Sequence, residues 1–426
     1  MPSSSPRTHH QVLVIGGGTA GINVAANLRR KRPGLSVAIV EPSQTHYYQP
    51  AWTLVGGGAF DLDATARPMA GQIPKGVTWI QDAVTEFQPD DNRVVLKSGQ
   101  QVDYEQMVVC PGLQLDWHKV QGLQETLGRN GVCSNYSFET TRYTWECIQG
   151  FHEGPALFTQ PAMPIKCAGA PQKIMYMACD QFRRAGVLDR ADVQFFLPGE
   201  AMFGVKEFVP PLERVVARYG ITVNYKTNLV AVDGEKKIAT FQRVGGEGEV
   251  ETFTRAFGMI HVTPPQSAPD VVKQSPLAAA SGWLDLDKFS LQHLRYPNVF
   301  GLGDVGSMPN AKTAAAVRMQ TPVVVDNLLA LRDSRALAGA YDGYGSCPLI
   351  TERGKVILAE FLYDGKLAPT FPLDPTRERW LGWFLKADFL PWMYWRWPKS
   401  WPDFVVVGRN LLARKKGETP MSTRAA

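Results

Sequence analysis

The 426-residue chain lacks several patterns that mark common functional classes. Its six cysteines form no CxxC or CxxCH pair, which argues against a thioredoxin-type motif, a zinc knuckle and attached haem, and we expect no metal site. No uncharged apolar run is long enough to cross a bilayer, so no transmembrane helix is expected. The first ten residues contain no apolar core of a secretory signal, and we expect none. The net charge of +5 is too small to indicate a nucleic-acid partner.

A glycine-rich turn near the N-terminus indicates a dinucleotide site. A buried strand is predicted at residues 12–15, and Gly16, Gly18 and Gly21 follow it at GxGxxG spacing. These glycines allow a tight turn, close approach of the backbone to a pyrophosphate, and packing of the next helix against the strand. Glu41 ends the second predicted strand, where a carboxylate accepts hydrogen bonds from ribose hydroxyls. A turn without a ligand is the alternative, which the strand, helix and terminal acid together disfavour.

A distant segment matches the other half of a flavin site. A strand is predicted at residues 298–302, and the sequence GLGD that ends it places Asp304 where it suits the ribityl chain of FAD. Lys312 and the alanine-rich helix start after it suit the flavin edge on which negative charge develops during reduction. Asp304 alone would indicate an ordinary helix N-cap. Together, the two segments predict FAD and a two-electron oxidoreductase.

The second fingerprint with which such enzymes bind NAD(P)H is missing. A strand is predicted at residues 156–159, but the loop after it reads PIKCAGAPQK (164–173) instead of GxGxxG. Gly169 alone permits close backbone approach there, and Cys167 takes the place where a nicotinamide would deliver its hydride. We therefore expect a second Rossmann-like domain that binds no second dinucleotide.

At these residues the chain resembles the sulfide:quinone oxidoreductases, specifically the mitochondrial type. The resemblance covers nearly the whole chain and includes the segments PIKCAGAPQKIMY (164–176), FGVKEF (203–208), IHVTPP (260–265), YPNVFGLGD (296–304), AKTAAAV (311–317), YDGYGSCPLIT (341–351) and VILAEF (356–361). It implies oxidation of sulfide to sulfane sulfur, noncovalent FAD, and a membrane quinone as electron acceptor. Sulfide and a small sulfur acceptor are the implied partners, and a homo-oligomer is left open.

The resemblance also gives roles to individual residues. Cys167 and Cys347 fall on the family's redox pair, which is expected to be bridged at rest, directly or through an extra sulfur. Hydrosulfide would open this bridge at Cys347 and leave a persulfide there, and the thiolate of Cys167 would pass two electrons to the flavin. Independently of the resemblance, Lys166 is expected to stabilise that thiolate because it is adjacent to Cys167 in the sequence. Gln49 and the backbone at Val84 correspond to FAD contacts of the family.

Cys133 departs from the mitochondrial pattern. A more distant bacterial branch has a third cysteine near this place that shuttles polysulfur. Cys133 is therefore either an ordinary buried thiol, which is the favoured interpretation, or a sulfur relay.

We expect an α/β fold with two Rossmann-like, doubly wound (ββα-type) domains and a C-terminal amphipathic helical region that contacts a membrane. Residues 1–115 and 291–330 are assigned to the FAD-binding domain, and residues 116–290 to the second domain. Residues 331–426 form the C-terminal region, which contains the second redox cysteine.

The C-terminal region is rich in tryptophan: six of the 11 lie between residues 380 and 401, mixed with basic residues and interrupted by prolines. Indole and basic side chains together suit the headgroup layer of a membrane. Residues 372–410 are therefore predicted to form a membrane face and quinone entrance, in preference to a helical hairpin packed on the core. The expected location is the surface of a bacterial inner membrane. The residues assigned to this face are Trp380, Trp383, Phe384, Trp392 and Trp395.

Two other functions stay open at this stage. A flavoenzyme like the type-II NADH:quinone oxidoreductases would share the membrane surface but would need the missing fingerprint. A flavoprotein scaffold or persulfide carrier would bind FAD without turnover.

Overall fold

The computed structural model describes residues 7–246 and 248–396. Its strands, in chain order, are β1 (Arg7–Ile15), β2 (Val37–Val40), β3 (Thr45–Tyr47), β4 (Ala66–Pro68), β5 (Thr78–Ile80), β6 (Val84–Gln88), β7 (Arg93–Leu96), β8 (Gln101–Val109), β9 (Gln114–Leu115), β10 (Val132–Cys133), β11 (Gly154–Thr159), β12 (Ala191–Phe196), β13 (Thr222–Asn224), β14 (Thr227–Asp233), β15 (Ile238–Val244), β16 (Val250–Ala256), β17 (Met259–His261), β18 (Gln266–Ser267), β19 (Val299–Gly301), β20 (Gly345–Glu352) and β21 (Lys355–Phe361).

The helices are α1 (Thr19–Lys31), α2 (Trp52–Gly56), α3 (Leu123–Thr126), α4 (Phe138–Gln149), α5 (Ala170–Arg184), α6 (Val209–Tyr219), α7 (Asp270–Lys273), α8 (Ala314–Arg332), α9 (Trp380–Phe384) and α10 (Leu390–Arg396). A π-helical turn, Leu385–Phe389, joins α9 to α10. The part of the predicted membrane segment that follows residue 396 lies outside the described residues.

The first sheet carries the glycine-rich turn at the carboxyl end of β1. Strands β5, β2, β1, β8 and β19 run parallel, and β7 and β6 extend the sheet beyond β8 in antiparallel pairs. The sequence VAIV of β2 is completely buried, as expected for a central parallel strand covered on both faces. Helices α1 and α8 pack against each other and place their N-termini near the ends of β1 and β19.

The second sheet is fully parallel, in the order β10, β17, β11, β12, β13. Helix α5 follows β11, as in a nucleotide-binding unit, after the loop that lacks the glycine fingerprint. The prediction of two Rossmann-like α/β units is therefore confirmed. A separate antiparallel sheet, β14 to β16, lies between β13 and β17 in the chain.

Two C-terminal features complete the molecule. The hairpin β20–β21 packs on α5, and α9 packs on β21. Within the described residues, no helix has the length and apolarity needed to cross a bilayer.

Candidate active site

A cavity of about 750 Å³ lies between the glycine-rich turn, the start of α5, the β20–β21 hairpin and the C-terminal helices. This volume is in the upper part of the range typical of ligand pockets. Gly18, Asp304, Cys167 and Lys173 all lie in its wall. The residues of the C-terminal helices that line it are Gly382, Leu385, Lys386, Phe389, Leu390 and Met393.

The glycine-rich turn has the geometry that a dinucleotide requires. Gly16 adopts a φ of 104°, a conformation that residues with side chains rarely adopt. A β-carbon added to Gly21 would collide with the carbonyl oxygen of Gly16. A β-carbon added to Gly18 would have no atom within 4 Å. The Glu41 carboxylate lines the cavity and accepts the N–H of Gly17 at 2.7 Å. The loop is thus closed on its helix side and open towards the cavity.

Asp304 and Lys312, which also line the cavity, differ in their surroundings. The carboxylate of Asp304 has no hydrogen-bond partner among the described residues, and burial raises its pKa. Lys312 instead donates to the carbonyl oxygens of Asp304 at 2.7 Å and Gly306 at 2.8 Å, and its ammonium lies 4.0 Å from the Trp283 ring. Burial lowers the pKa of Lys312 to about 8. Asp304 is therefore free to bind a hydroxyl group, while Lys312 chiefly fixes the loop around it.

Of the two remaining residues assigned to the cofactor, Gln49 lies at the cavity and Val84 does not. Gln49 lines the cavity and accepts a hydrogen bond from Lys166 Nζ at 2.8 Å. Val84 begins β6, which lies two strands beyond β8 at the edge of the sheet, and it is not part of the cavity wall. The structure therefore brings Gln49 to the site and leaves Val84 outside this cavity.

The two cysteines assigned to the redox pair meet beside the start of α5. Cys167 Sγ and Cys347 Sγ are 3.8 Å apart, and both residues are free thiols. Cys167 has a φ of 51°, and the turn is held by hydrogen bonds from its N–H to the Lys312 carbonyl and from the Ala170 N–H to its own carbonyl. Such a left-handed conformation is costly for a residue with a side chain and is typical of functional sites.

Lys173 makes the two sulfurs unequal. Its ammonium donates to Cys167 Sγ at 3.0 Å. The pKa of Cys167 lies well below its usual range, first because the Cys347 thiol donates to it and then because of Lys173. The pKa of Cys347 is raised, by the Cys167 sulfur and by burial. Cys167 is therefore the thiolate of the pair, and Cys347 keeps its proton.

Sequence reasoning assigned this stabilising role to Lys166, whereas the lysine in contact with Cys167 is Lys173. The Lys166 ammonium turns to Gln49 and lies 5.5 Å from the Trp52 ring. Lys173 occupies the first turn of α5, and this helix start, visible in the sequence as Gly-Ala-Pro, was the signal that could have found it. A third lysine, Lys386, donates to the Pro50 carbonyl, and burial together with Lys173 lowers its pKa to about 7.

Cys133 lies away from the sulfur pair. It is completely buried in the second sheet, where its thiol donates to the Ile260 carbonyl at 3.5 Å. Burial, and then the neighbouring Cys147, raise its pKa well above its usual range. Cys133 is not part of the cavity wall, which is formed nearby by Asn135 and Tyr136.

A chain of hydrogen bonds links the C-terminal helix α10 to the glycine-rich turn. Tyr394, which is buried, bonds through its hydroxyl to His46 Nε2 at 2.5 Å and to Thr19 Oγ1 at 2.8 Å. His46 Nδ1 lies 3.2 Å from the Gly17 carbonyl, so this nitrogen carries the proton and Nε2 accepts from Tyr394. Burial lowers the pKa of His46 to about 4, which keeps it neutral.

The five aromatic residues assigned to the membrane face divide into two groups. Trp380, Phe384 and Trp392 are exposed, with 65%, 37% and 47% of their surfaces accessible. Trp395 donates to the Ala64 carbonyl and is covered by the Arg67 guanidinium, and Trp383 packs against a buried cluster that includes Val356. The first group forms an aromatic surface on the outside of helices whose inner side lines the cavity.

Comparisons with known proteins show which family this chain resembles. A family model described as pyridine nucleotide-disulphide oxidoreductase matches residues 10–139. The mitochondrial sulfide:quinone oxidoreductase of Mus musculus is 45% identical over 389 residues, which cover 91% of this chain and 86% of that protein. The mitochondrial sulfide:quinone oxidoreductase of Dictyostelium discoideum is 42% identical and covers 90% of this chain and 85% of its own length. The solved structure of the sulfide:quinone oxidoreductase from Aquifex aeolicus has a TM-score of 0.79 at 19% identity, over 96% of this chain and 95% of that one, and so shares the fold.

Proposed function

The chain belongs to the sulfide:quinone oxidoreductase family, and we propose that it oxidises sulfide at Cys167 and Cys347 and passes the electrons through FAD to a membrane quinone. The observation that carries the proposal is the buried Cys347 sulfur 3.8 Å from the sulfur of Cys167, a residue that lines the same cavity as the dinucleotide turn. Two cysteines distant in sequence, one held as a thiolate by a buried lysine, are suited to two-electron sulfur chemistry.

The residues of the cavity fit FAD. Gly18 offers an open backbone for a pyrophosphate, Glu41 a carboxylate for ribose hydroxyls, and the unpartnered carboxylate of Asp304 an acceptor for a ribityl hydroxyl. The start of α8 adds free backbone N–H groups. When bound, FAD would supply a two-electron acceptor for the cysteine pair.

In the proposed sulfur chemistry, atoms and electrons balance with the two cysteines as the reacting groups. In the oxidised enzyme they share a disulfide, and HS⁻ attacks the sulfur of Cys347, so that a new sulfur–sulfur bond forms there. The old bond breaks, leaving a persulfide on Cys347 and a thiolate on Cys167, the residue at which Lys173 stabilises negative charge. The persulfide sulfur then leaves to a small nucleophilic acceptor, and the two electrons left on the cysteine pair reach the quinone.

We propose that the quinone enters between the C-terminal helices. Leu385, Phe389, Leu390 and Met393 give that side of the cavity an apolar wall, which suits a lipid-soluble ring. The exposed aromatic surface on the outside of the same helices suits the headgroup layer of a membrane. The Mus musculus and Dictyostelium discoideum relatives are mitochondrial enzymes, so they give no support to the bacterial inner membrane predicted from the sequence, and the proposal is limited to a membrane surface.

Anaerobic titration with sulfide tests this function. Sulfide should bleach the flavin absorbance, and addition of a short-chain quinone should restore it. Cys347→Ser should bind FAD but show no bleaching by sulfide, with Cys179→Ser, at another buried cysteine, on α5, as the control. Bleaching by NADH and not by sulfide would instead support an NADH:quinone oxidoreductase. Full FAD content with no reduction by either would support a carrier.

A further inference from the structure

Gly169 stands at the N-cap of α5, where the loop of a dinucleotide-binding unit would approach a pyrophosphate. Its φ of −86° and ψ of −4° are open to any residue, so the backbone conformation does not require glycine. The surrounding space does require it. A β-carbon at Gly169 would lie 2.6 Å from Cys347 Sγ and even closer to Cδ2 of Leu349, whereas non-bonded atoms settle about 3.5–4.0 Å apart.

Pairing with β21 holds β20, the strand that carries Cys347 and Leu349, in place. Cys347 and Leu349 are two residues apart on β20 and so point to the same face, and both are buried. Cys347 pairs with Ala359 and Leu349 with Ile357 on β21. The crowding caused by a methyl group would therefore be relieved by rotation of the Cys347 side chain, which would carry its sulfur away from Cys167.

We propose that Gly169 is a positioning residue for Cys347: the missing side chain leaves the room in which the Cys347 sulfur faces Cys167. The consequence for sulfide oxidation rests on the proposed function, whereas the geometric claim does not. The Gly169 N–H also interacts with the Cys347 sulfur and by itself lowers the pKa of that thiol. The Cys167 sulfur and burial have the opposite effect and raise the pKa of Cys347 overall. The partial positive charge at the start of α5 adds to the effect of the Gly169 N–H. The same amide would favour a persulfide anion on Cys347.

Gly169→Ala in the FAD-loaded protein tests the proposal. Diamide, which takes up the two thiol hydrogens as a disulfide forms, should bridge Cys167 and Cys347 at least tenfold more slowly than in the parent, as measured by non-reducing peptide mapping. Bleaching of the flavin by sulfide should slow by a similar factor, at unchanged FAD content. Gly204→Ala is the matched control, because nothing lies within 4 Å of an added β-carbon there, and it should behave like the parent.

A second variant separates the sulfur from ordinary core packing. Leu349→Val in the Gly169→Ala background removes the contact with Cδ2 and relieves that part of the crowding, but leaves the contact with Cys347 Sγ. Bridging should stay slow in this double variant. If bridging returned to the parent rate, or if Gly169→Ala alone bridged normally, the proposal would be wrong. If the parent bridged normally but sulfide did not bleach its flavin, the proposed function would fail while the bridging assay still tested Gly169.

Discussion

Lys173 decides which sulfur of the pair carries the negative charge. Its side chain is almost completely buried, which alone would lower its pKa, yet the sulfurs of Cys167 and Cys347 raise that pKa overall. The ammonium and the Cys167 thiolate therefore stabilise each other. A fixed charge at Cys167 makes it the leaving sulfur when Cys347 is attacked.

Lys173→Met should raise the pKa of Cys167. Hydrogen bonds to charged groups contribute about 1.5–3 kcal/mol, and a pKa unit corresponds to about 1.4 kcal/mol, so we expect a rise of about one to two units. The pH profile of Cys167 alkylation by iodoacetamide, measured in a Cys347→Ser background, should shift upward by that amount. Lys206→Met, at an exposed lysine in the same domain, serves as control. An unchanged profile would show that Lys173 does not hold the thiolate.

Cys133→Ala should leave turnover within about twofold of the parent, because the thiol is buried behind the cavity wall and donates to a backbone carbonyl. Steady-state quinone reduction with sulfide checks this expectation. A loss of turnover with normal bleaching of the flavin in the first cycle would point to a sulfur relay instead.

The sequence was sufficient to predict Cys167 and Cys347 as partners, but only through the family resemblance, since 180 residues separate them. The lysine that contacts Cys167 could not be predicted in the same way. The left-handed turn at Cys167 directs its sulfur to α5, so the adjacent Lys166 points elsewhere and Lys173 makes the contact. A local turn conformation of this kind leaves little trace in the residue pattern.

At the scale of elements, α10 belongs to the cofactor site as well as to the aromatic surface. Tyr394 joins it to His46 and Thr19, and its ring also packs on Tyr48 with centroids 4.5 Å apart. Deletion of the C-terminal helices would therefore disturb the glycine-rich turn together with any membrane contact, and would not separate the two roles.

Tyr394→Phe should weaken FAD binding, because it removes the hydroxyl that connects Thr19 to His46. A neutral hydrogen bond contributes about 1 kcal/mol, which corresponds to an approximately fivefold rise in Kd. The Kd for FAD is measured by quenching of flavin fluorescence during reconstitution of the apoprotein. Tyr363→Phe also loses a hydrogen bond, to the Lys288 carbonyl, and should bind FAD normally. Equal Kd values for the two variants would count against the link.

The strands and helices of the nucleotide-binding units could be predicted because each is specified by a strong residue pattern within one short stretch of the sequence. The strand predicted at residues 298–302 is β19, Val299–Gly301, and the strand predicted at 156–159 is the end of β11. The contact between His46 and Tyr394 spans 348 residues and depends on how α10 folds back over the first sheet. No periodicity in either segment indicates it, and the same holds for the inward packing of Trp395.

For the whole molecule, the cavity joins two environments. The start of α5 supplies a polar, cationic wall for sulfur chemistry, and the C-terminal helices supply a mostly apolar wall, with the buried Lys386 among its residues, beneath an aromatic surface. On this surface the rings of Trp380 and Phe384 stack with centroids 5.6 Å apart, and the half-buried Phe389, which also lines the cavity, contacts Trp392. One pair of short helices thus separates the interior of the site from the proposed membrane.

Replacing Trp380 and Trp392 together by Glu should release the protein from vesicles of phosphatidylcholine and phosphatidylglycerol. Both indoles are largely exposed, so the substitutions leave the core intact, and carboxylates would meet both an apolar layer and an anionic surface. Co-sedimentation should fall at least tenfold, while bleaching of the flavin by sulfide stays normal, since neither side chain lines the cavity. Leu294→Glu with Val250→Glu, at two exposed apolar residues elsewhere, should sediment with vesicles like the parent.

Reoxidation by a long-tailed quinone in vesicles should slow in the tryptophan variant alone. If that variant still sedimented with vesicles and turned over normally, the aromatic surface would be a contact with protein rather than with lipid.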